Sequence, residues 1–297
     1  MMEKILIIGA SGMFGNTIYR YLNNKKFITL GTVSNKNKIK KFNNKYRKNL
    51  ISIGKINEKN CDKILEKILK IIKKNNVTFL INTLGYTPSQ GRKKLIYQKT
   101  VNEIFPKKLQ FLTYKNKCHL LHFSTDCVFS GQKGNYKEND YKDTKSSYGK
   151  YKSEGELILS KNCCTLRTSG VGHELDNKKS LLEWFLNNKK NMINGYKNAF
   201  FTGPTTLEIA KIIKTFFLNK KLKPFGIYNI GTFKISKFEL LKLINKIYNK
   251  RKTIISCNKP MIDRSLNLNK FMKQFNYKKK TWKKLITEMK RFENEKL

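Results

Sequence analysis

The chain has 297 residues, with 63 Lys or Arg against 20 Asp or Glu, giving a formal net charge of +43. At 39% hydrophobic and 12% aromatic it has apolar material for one large domain or two small ones, which excludes a disordered polybasic tail. Its longest apolar runs, such as Ile5-Leu6-Ile7-Ile8, are strand-sized, which excludes a membrane-spanning segment.

The basic excess is nearly all Lys, spread over every segment and accompanied by abundant Asn and Ile. An AT-rich coding sequence produces that pattern, so the charge reads as compositional drift and nucleic acid is not expected as a partner despite it, while anionic ligands are favoured generally. A non-catalytic nucleic-acid-binding protein is the alternative the charge alone would support, and no aromatic–basic cluster or reading motif accompanies it. The six cysteines, Cys61, Cys118, Cys127, Cys163, Cys164 and Cys257, form no C-x-x-C pair and no regular framework. Glycines follow the N-terminal apolar stretch at once, unlike a secretory signal. Reduced thiols and a cytoplasmic location are expected.

The first predicted strand covers residues 4–8 and runs into Gly9-Ala10-Ser11-Gly12-Met13-Phe14-Gly15, which opens a helix. Glycines there let the backbone turn tightly and approach a pyrophosphate, which rests on the helix N-terminus. The second strand, 27–33, indicates which dinucleotide is taken. An Asp or Glu at its end would bind the ribose 2′-hydroxyl of NAD. The sequence reads Gly31-Thr32-Val33-Ser34-Asn35-Lys36-Asn37-Lys38, with no acid and with ammonium groups suited to a 2′-phosphate. NADPH is therefore expected, with NADH as second choice.

The Lys/Asn-rich residues 35–49 read as a mobile loop. Ile64, Leu65, Ile68, Leu69 and Ile72 recur at helical spacing, and strands follow at 77–82 and 119–124. His119 and His122 stand three apart in the latter strand, so they point to opposite faces and are not a metal pair. No metal is expected.

That strand ends in Ser124-Thr125-Asp126-Cys127. Ligands of open α/β sheets lie outside the carboxyl ends of the strands, which suits Thr125 to hydrogen-bond a substrate carbonyl. A helix is predicted over 148–159, with Tyr148 and Lys152 at i and i+4 on one face. A phenol ordinarily titrates near ~10. An adjacent ammonium lowers that value, so Tyr148 can protonate an alkoxide formed by hydride transfer.

A strand at 164–168 closes the first half, whose alternation of strands and helices signals a parallel sheet. Beyond it lie two capping boxes, Thr205-x-x-Glu208 and Ser236-x-x-Glu239, with a short strand at 227–230 between them. The expected fold is α/β, a Rossmann-type doubly wound parallel sheet. Residues 1–165 form its dinucleotide-binding domain, and 166–297 a smaller α-rich substrate lobe with some segments returning to the sheet.

Taken together, Gly9–Gly15, Asn82-Thr83-Leu84-Gly85, Val101-Asn102, Ser124–Gly131, Tyr148–Glu156 and Leu166-Arg167-Thr168-Ser169 resemble the extended short-chain dehydrogenase/reductases. Within them the chain is most similar to the dTDP-4-dehydrorhamnose reductase group. The likeness covers residues 1–170 well, and the remainder matches in layout, with Gly203-Pro204-Thr205 as its clearest piece. It implies a catalytic triad of Thr125, Tyr148 and Lys152. It implies dinucleotide contacts from Gly9, Ser11, Gly12, Met13, Phe14, Gly15, Ser34, Leu84, Gly85, Asn102, Tyr148 and Lys152. It further implies a nucleotide-linked 4-keto-6-deoxysugar as substrate, in deoxysugar and surface-polysaccharide biosynthesis, and allows a homodimer. Thr125, Asp126, Cys127 and His173 are the expected substrate contacts.

Three departures stand out. Gly170 takes the place of a Trp that packs on the sugar. No acid near Ile53-Gly54-Lys55 matches the one that helps hold the adenine. Cys127 replaces a Tyr. Cys127 and His173 also lie in the regions where the related GDP-fucose synthases carry an epimerising Cys and His, so an epimerase–reductase is the alternative activity. Dehydration is disfavoured, since Asp126-Cys127 lacks the Asp-Glu pair of the related dehydratases.

Overall fold

The computed structural model describes residues 3–23, 27–87, 95–156, 161–176, 178–218 and 223–295. Its strands in chain order are β1 (Lys4–Ile8), β2 (Ile28–Val33), β3 (Leu50–Ser52), β4 (Phe79–Asn82), β5 (His119–Ser124) and β6 (Cys163–Arg167). They continue as β7 (Met192–Tyr196), β8 (Ala199–Phe201), β9 (Gly226–Asn229), β10 (Ile235–Ser236), β11 (Thr253–Cys257) and β12 (Ile262–Asp263). A seven-stranded sheet runs β3-β2-β1-β4-β5-β6-β9 with every pairing parallel, so the expected parallel sheet is present.

Alternation along β1 explains why both faces of this sheet are covered. Ile5 and Ile7 enter one apolar core, and Leu6 and Ile8 enter the other. A central strand buried on both sides needs this continuous apolar run. Helices α1 (Met13–Asn23), α2 (Lys36–Lys40) and α3 (Asn44–Arg47) follow β1 and β2. Next come α4 (Cys61–Asn75), α5 (Leu95–Lys99), α6 (Phe105–Lys115) and α7 (Ser147–Glu154). A π-helical turn, Thr100–Ile104, joins α5 to α6. The second half adds α8 (Leu181–Asn187), α9 (Thr206–Ile212), α10 (Lys237–Ile247), α11 (Asn269–Phe275) and α12 (Trp282–Asn294).

The N-cap half of each box is present: Thr205 accepts from the Glu208 N–H, and Ser236 from that of Glu239, while the Glu208 carboxylate turns to Tyr277 and Lys280. Ile209 and Ile212 of α9, with Phe271 and Phe275 of α11, complete the core that contains Ile5 and Ile7. A third apolar cluster, with Leu182, Phe185, Leu240, Leu241 and Ile286, binds α8, α10 and α12 together.

Two expectations are corrected. The lysine-rich stretch 35–49 forms α2 and α3 in place of a mobile loop, because Phe42 and Tyr46 are buried against Tyr19. The Tyr19 hydroxyl donates to the Tyr46 carbonyl at 2.7 Å, and Asn35 and Asn43 cap the two short helices. The helix predicted over 148–159 ends at Glu154. There a Cβ on Gly155 would stand 2.0 Å from the Asn102 carbonyl oxygen, so α7 closes against the π-helical turn. Residues 157–160 of that expectation lie outside the described residues.

Candidate active site

The glycine turn after β1 is built by close approach. Gly9 adopts φ +85°, a left-handed conformation natural to glycine. A Cβ on Gly15 would lie 2.2 Å from the Gly9 carbonyl oxygen and 2.7 Å from Thr83 Oγ1. The turn, the first residues of α1 and the end of β4 are thereby drawn into one cradle. It opens on a cleft of about 450 Å³ whose walls include Ser11, Gly12, Ser34, Lys38, Leu84 and Gly85. The close glycine approach fits a dinucleotide pyrophosphate. The end of β2 bears no carboxylate, and Ser34, Asn35 and Lys38 line the cleft there.

Other expected dinucleotide contacts act from behind this surface. Asn102 is buried, and both of its amide groups engage Tyr86: Oδ1 accepts from the Tyr86 N–H at 2.9 Å and Nδ2 donates to its carbonyl at 3.0 Å. It orders the turn that carries Leu84 and Gly85. The Phe14 ring packs on Phe123 with centroids 5.3 Å apart. A Cβ at Gly170 would come within 2.7 Å of that ring, so Phe14 takes the space a larger residue at 170 would need. Met13 begins α1, and its carbonyl accepts from Thr17 Oγ1.

Beside the cleft, Thr125 caps the 3-10 turn Asp126–Val128, with Oγ1 accepting from the Cys127 N–H at 3.1 Å. Ser146 starts α7 by accepting from the Gly149 N–H at 3.0 Å. A Cβ on Gly149 would stand 2.2 Å from the Cys127 carbonyl oxygen, so glycine lets α7 lie directly on the Thr125 turn. This contact brings the Tyr148 phenol beside Thr125. One turn further on, Lys152 is buried and its Nζ donates to the Phe123 carbonyl. Thr125, Tyr148 and Lys152 thus converge at the carboxyl end of β5.

Burial raises the Tyr148 phenol above its usual value, Cys127 adds to the rise, and the nearby Thr125 hydroxyl opposes it. Burial lowers the Lys152 ammonium to about 8, against the attraction of the Glu156 carboxylate. The ammonium-lowered phenol expected from the i, i+4 spacing is therefore corrected. Lys152 is turned to a backbone carbonyl, and desolvation leaves Tyr148 as a protonated phenol at neutral pH.

A buried network without a local sequence pattern supports the strand end. Glu156 accepts from Ser124 Oγ at 2.7 Å and from Arg167 Nε and Nη2 at 2.9 Å each, with Lys142 at 3.3 Å. Beneath the cleft, Asn82 Oδ1 accepts from the Leu84 N–H, so its Nδ2 donates to His122 Nδ1 at 3.1 Å. Burial and the Lys152 charge hold the His122 imidazole far below its usual range, which leaves it neutral. His119 lies on the other face of β5, stacked on Phe79.

The remaining expected contacts separate. Cys127 stays beside Thr125, where burial and the Asp126 carboxylate push its thiol up to about 12. His173 is held elsewhere, its Nδ1 bonded to Glu183 at 2.7 Å and its Nε2 to the Tyr248 hydroxyl at 2.8 Å. Two cations not singled out from the sequence stand near Asp126 and Cys127. Arg264 donates from Nε to the Phe129 carbonyl and from Nη1 toward Cys127 Sγ. Lys237 has its ammonium lowered by burial and pulled back up by Asp126 and Cys127. Arg264 carried a usable signal, being one of few arginines in a lysine-rich chain; Lys237 carried none.

A seven-stranded parallel sheet with a glycine-built cleft and a Tyr-x-x-x-Lys helix at its carboxyl edge defines the extended short-chain dehydrogenase/reductase class. The family model described as RmlD substrate binding domain matches residues 2–292, and the chain belongs to that family. A dTDP-4-dehydrorhamnose reductase of Aggregatibacter actinomycetemcomitans is 29% identical over 181 residues, which cover 59% of this chain and 54% of the relative. The chain thus spans about half the length of that relative. Among solved structures, a dTDP-4-dehydrorhamnose reductase of Bacillus anthracis in complex with NADP superposes with a TM-score of 0.77. It is 16% identical, with 98% of this chain and 100% of that chain covered. The corresponding reductase of Clostridium acetobutylicum gives 0.74 at 19% identity, covering 98% and 99%. A dTDP-glucose 4,6-dehydratase of Bacillus anthracis in complex with NAD gives 0.76 at 19%, covering 99% and 97%. At these identities the structures speak for the fold.

Proposed function

We propose that the protein is an NADPH-dependent reductase of a nucleotide-linked 4-keto-6-deoxysugar, of the dTDP-4-dehydrorhamnose reductase kind. The observation that carries this reading is the convergence of Thr125, Tyr148 and Lys152 beside a glycine-built dinucleotide cleft. The absence of a carboxylate at the end of β2, where Ser34, Asn35 and Lys38 line the cleft, favours NADPH over NADH. When bound, the dinucleotide supplies a hydride. Thr125 orients the ketone oxygen, and Tyr148 holds the proton that this oxygen takes up as it becomes a hydroxyl. Lys152 keeps a positive charge behind the phenol and the ribose. Arg264 and Lys237 supply the cations that a sugar diphosphate requires, on the side contributed by residues after 165. In this reading residues 1–165 bind the dinucleotide and 166–297 bind the sugar nucleotide. Free thiols on all six cysteines suit a reducing cytoplasm.

The epimerase–reductase alternative draws little support from the geometry. A thiol titrating at about 12 is a poor base at neutral pH, and both ring nitrogens of His173 are engaged away from Cys127. Purified protein with dTDP-4-dehydrorhamnose is expected to consume NADPH in step with loss of the ketone. Absence of turnover with this and other nucleotide 4-ketosugars would overturn the reading.

The pH profile carries a sign. Lys152 loses its proton as pH rises through about 8, whereas the Tyr148 phenol stays protonated beyond that point. The kcat/KM for reduction is therefore expected to fall on the alkaline side of about pH 8. A profile flat well above that pH would remove the Lys152 charge from the mechanism.

A further inference from the structure

Lys38 and Lys41 lie close together at the end of α2, and both ammonium groups close on one carboxylate, Asp176. Asp176 comes from the segment between β6 and α8, in the other half of the chain. Lys38 lines the dinucleotide cleft beside Ser34 and Asn35, and Lys179 lines the same cleft. The segment bearing Asp176 is anchored on either side. Leu175 packs against the core that includes Ile5 and Ile7. Glu174 accepts from the N–H groups of Lys179 and Ser180 at 2.8 and 2.9 Å.

The end of β2 is where a dinucleotide's ribose 2′ substituent is read. An internal carboxylate therefore neutralises a cation at the position a 2′-phosphate would use. A phosphate monoester carries close to two negative charges, more than one carboxylate, and competes well for a pair of ammonium groups. The contact is partly exposed, with side-chain accessibilities of 25% for Lys38 and 20% for Asp176, so it is screened and exchangeable.

We infer that Asp176 is an internal competitor for the 2′-phosphate, occupying Lys38 and Lys41 until NADPH displaces it, and thereby lowers the NADPH-over-NADH selectivity that the two lysines would otherwise give. The inference rests on the dinucleotide reading above. It follows that NADPH, unlike NADH, frees the segment leading into α8, so the identity of the dinucleotide is felt in the half proposed to hold the sugar.

Equilibrium titration of wild type and Asp176→Asn with NADPH, NADH and adenosine 2′,5′-bisphosphate tests this without turnover. The variant is expected to bind NADPH and the bisphosphate about fivefold to tenfold more tightly at low salt, with NADH affinity unchanged. The gain should shrink as salt rises. In a background lacking both ammonium groups, Lys38→Gln with Lys41→Gln, the same substitution should change NADPH affinity much less, because Asp176 acts through those two contacts. Equal shifts for NADPH and NADH, or weaker NADPH binding by Asp176→Asn, would overturn the competitor and leave Asp176 as a structural clip. Wild type that binds neither dinucleotide would overturn the reductase reading itself.

Discussion

Tyr148→Phe is expected to lower kcat for ketosugar reduction by about 100-fold to 10,000-fold, the usual range for losing a positioned general acid. In the proposed mechanism the phenol is the group that contributes a proton at the convergence point. Thr125 Oγ1 can orient a carbonyl, but its proton is far less acidic. Lys152 is turned to the Phe123 carbonyl. Phe keeps the ring and its packing on α7, so the fold and the glycine cradle should persist. NADPH affinity, read by fluorescence titration, should change by no more than a few-fold, while steady-state turnover collapses. Wild-type turnover in this variant would end the assignment of the proton to Tyr148.

Glu156→Gln is expected to destabilise the fold by about 3–5 kcal/mol, because it leaves the buried Arg167 guanidinium without its counter-charge. Both side chains are almost fully buried, at 0% and 1% accessibility, and are joined through two nitrogens. Urea denaturation at neutral pH reads the loss directly. Removing both charges, as Glu156→Leu with Arg167→Met, should recover much of it, since apolar pairs of similar volume often replace buried ion pairs without cost. A single-variant loss below about 1 kcal/mol would mean that the site is wetter than its burial indicates.

The same pair gives the acid limb of stability its sign. Burial pushes the Glu156 carboxyl up, but Arg167, Lys142 and Ser124 together hold it below its ordinary value. Its contribution is fully present above the usual carboxylate range and is lost as pH falls through the lowered value. Glu156→Gln should therefore remove part of the wild-type sensitivity to acid.

How much of this was legible beforehand depends on how local each feature is. The apolar run Ile5-Leu6-Ile7-Ile8 and the glycines that follow it declare a buried strand and a tight turn within a dozen residues. Tyr148 and Lys152 are visible because one helix face carries both. The N-cap half of each capping box is likewise self-contained. By contrast, the helices α2 and α3 depend on Phe42 and Tyr46 finding Tyr19, more than 20 residues earlier, so the Lys/Asn composition misleads. Arg264 meets Cys127 across 137 positions, and Asp176 meets Lys38 across 138. No periodicity encodes such pairings. The direction of the Tyr148 shift was also out of reach, because spacing announces the neighbouring charge and says nothing of the solvent removed around it.

The sharing of one core by early and late parts of the chain bears on synthesis. The glycine turn is encoded within the first fifteen residues, yet the sheet face behind it is covered by α9 and α11, and the sheet's edge is completed by β9. A chain emerging from the ribosome holds β1 to β6 well before those segments exist, with the Ile5–Ile7 face exposed and a strand edge unpaired. The half that carries the glycine turn completes its packing last although it is made first. During that interval the mutual repulsion of the abundant lysines opposes association with other unfinished copies.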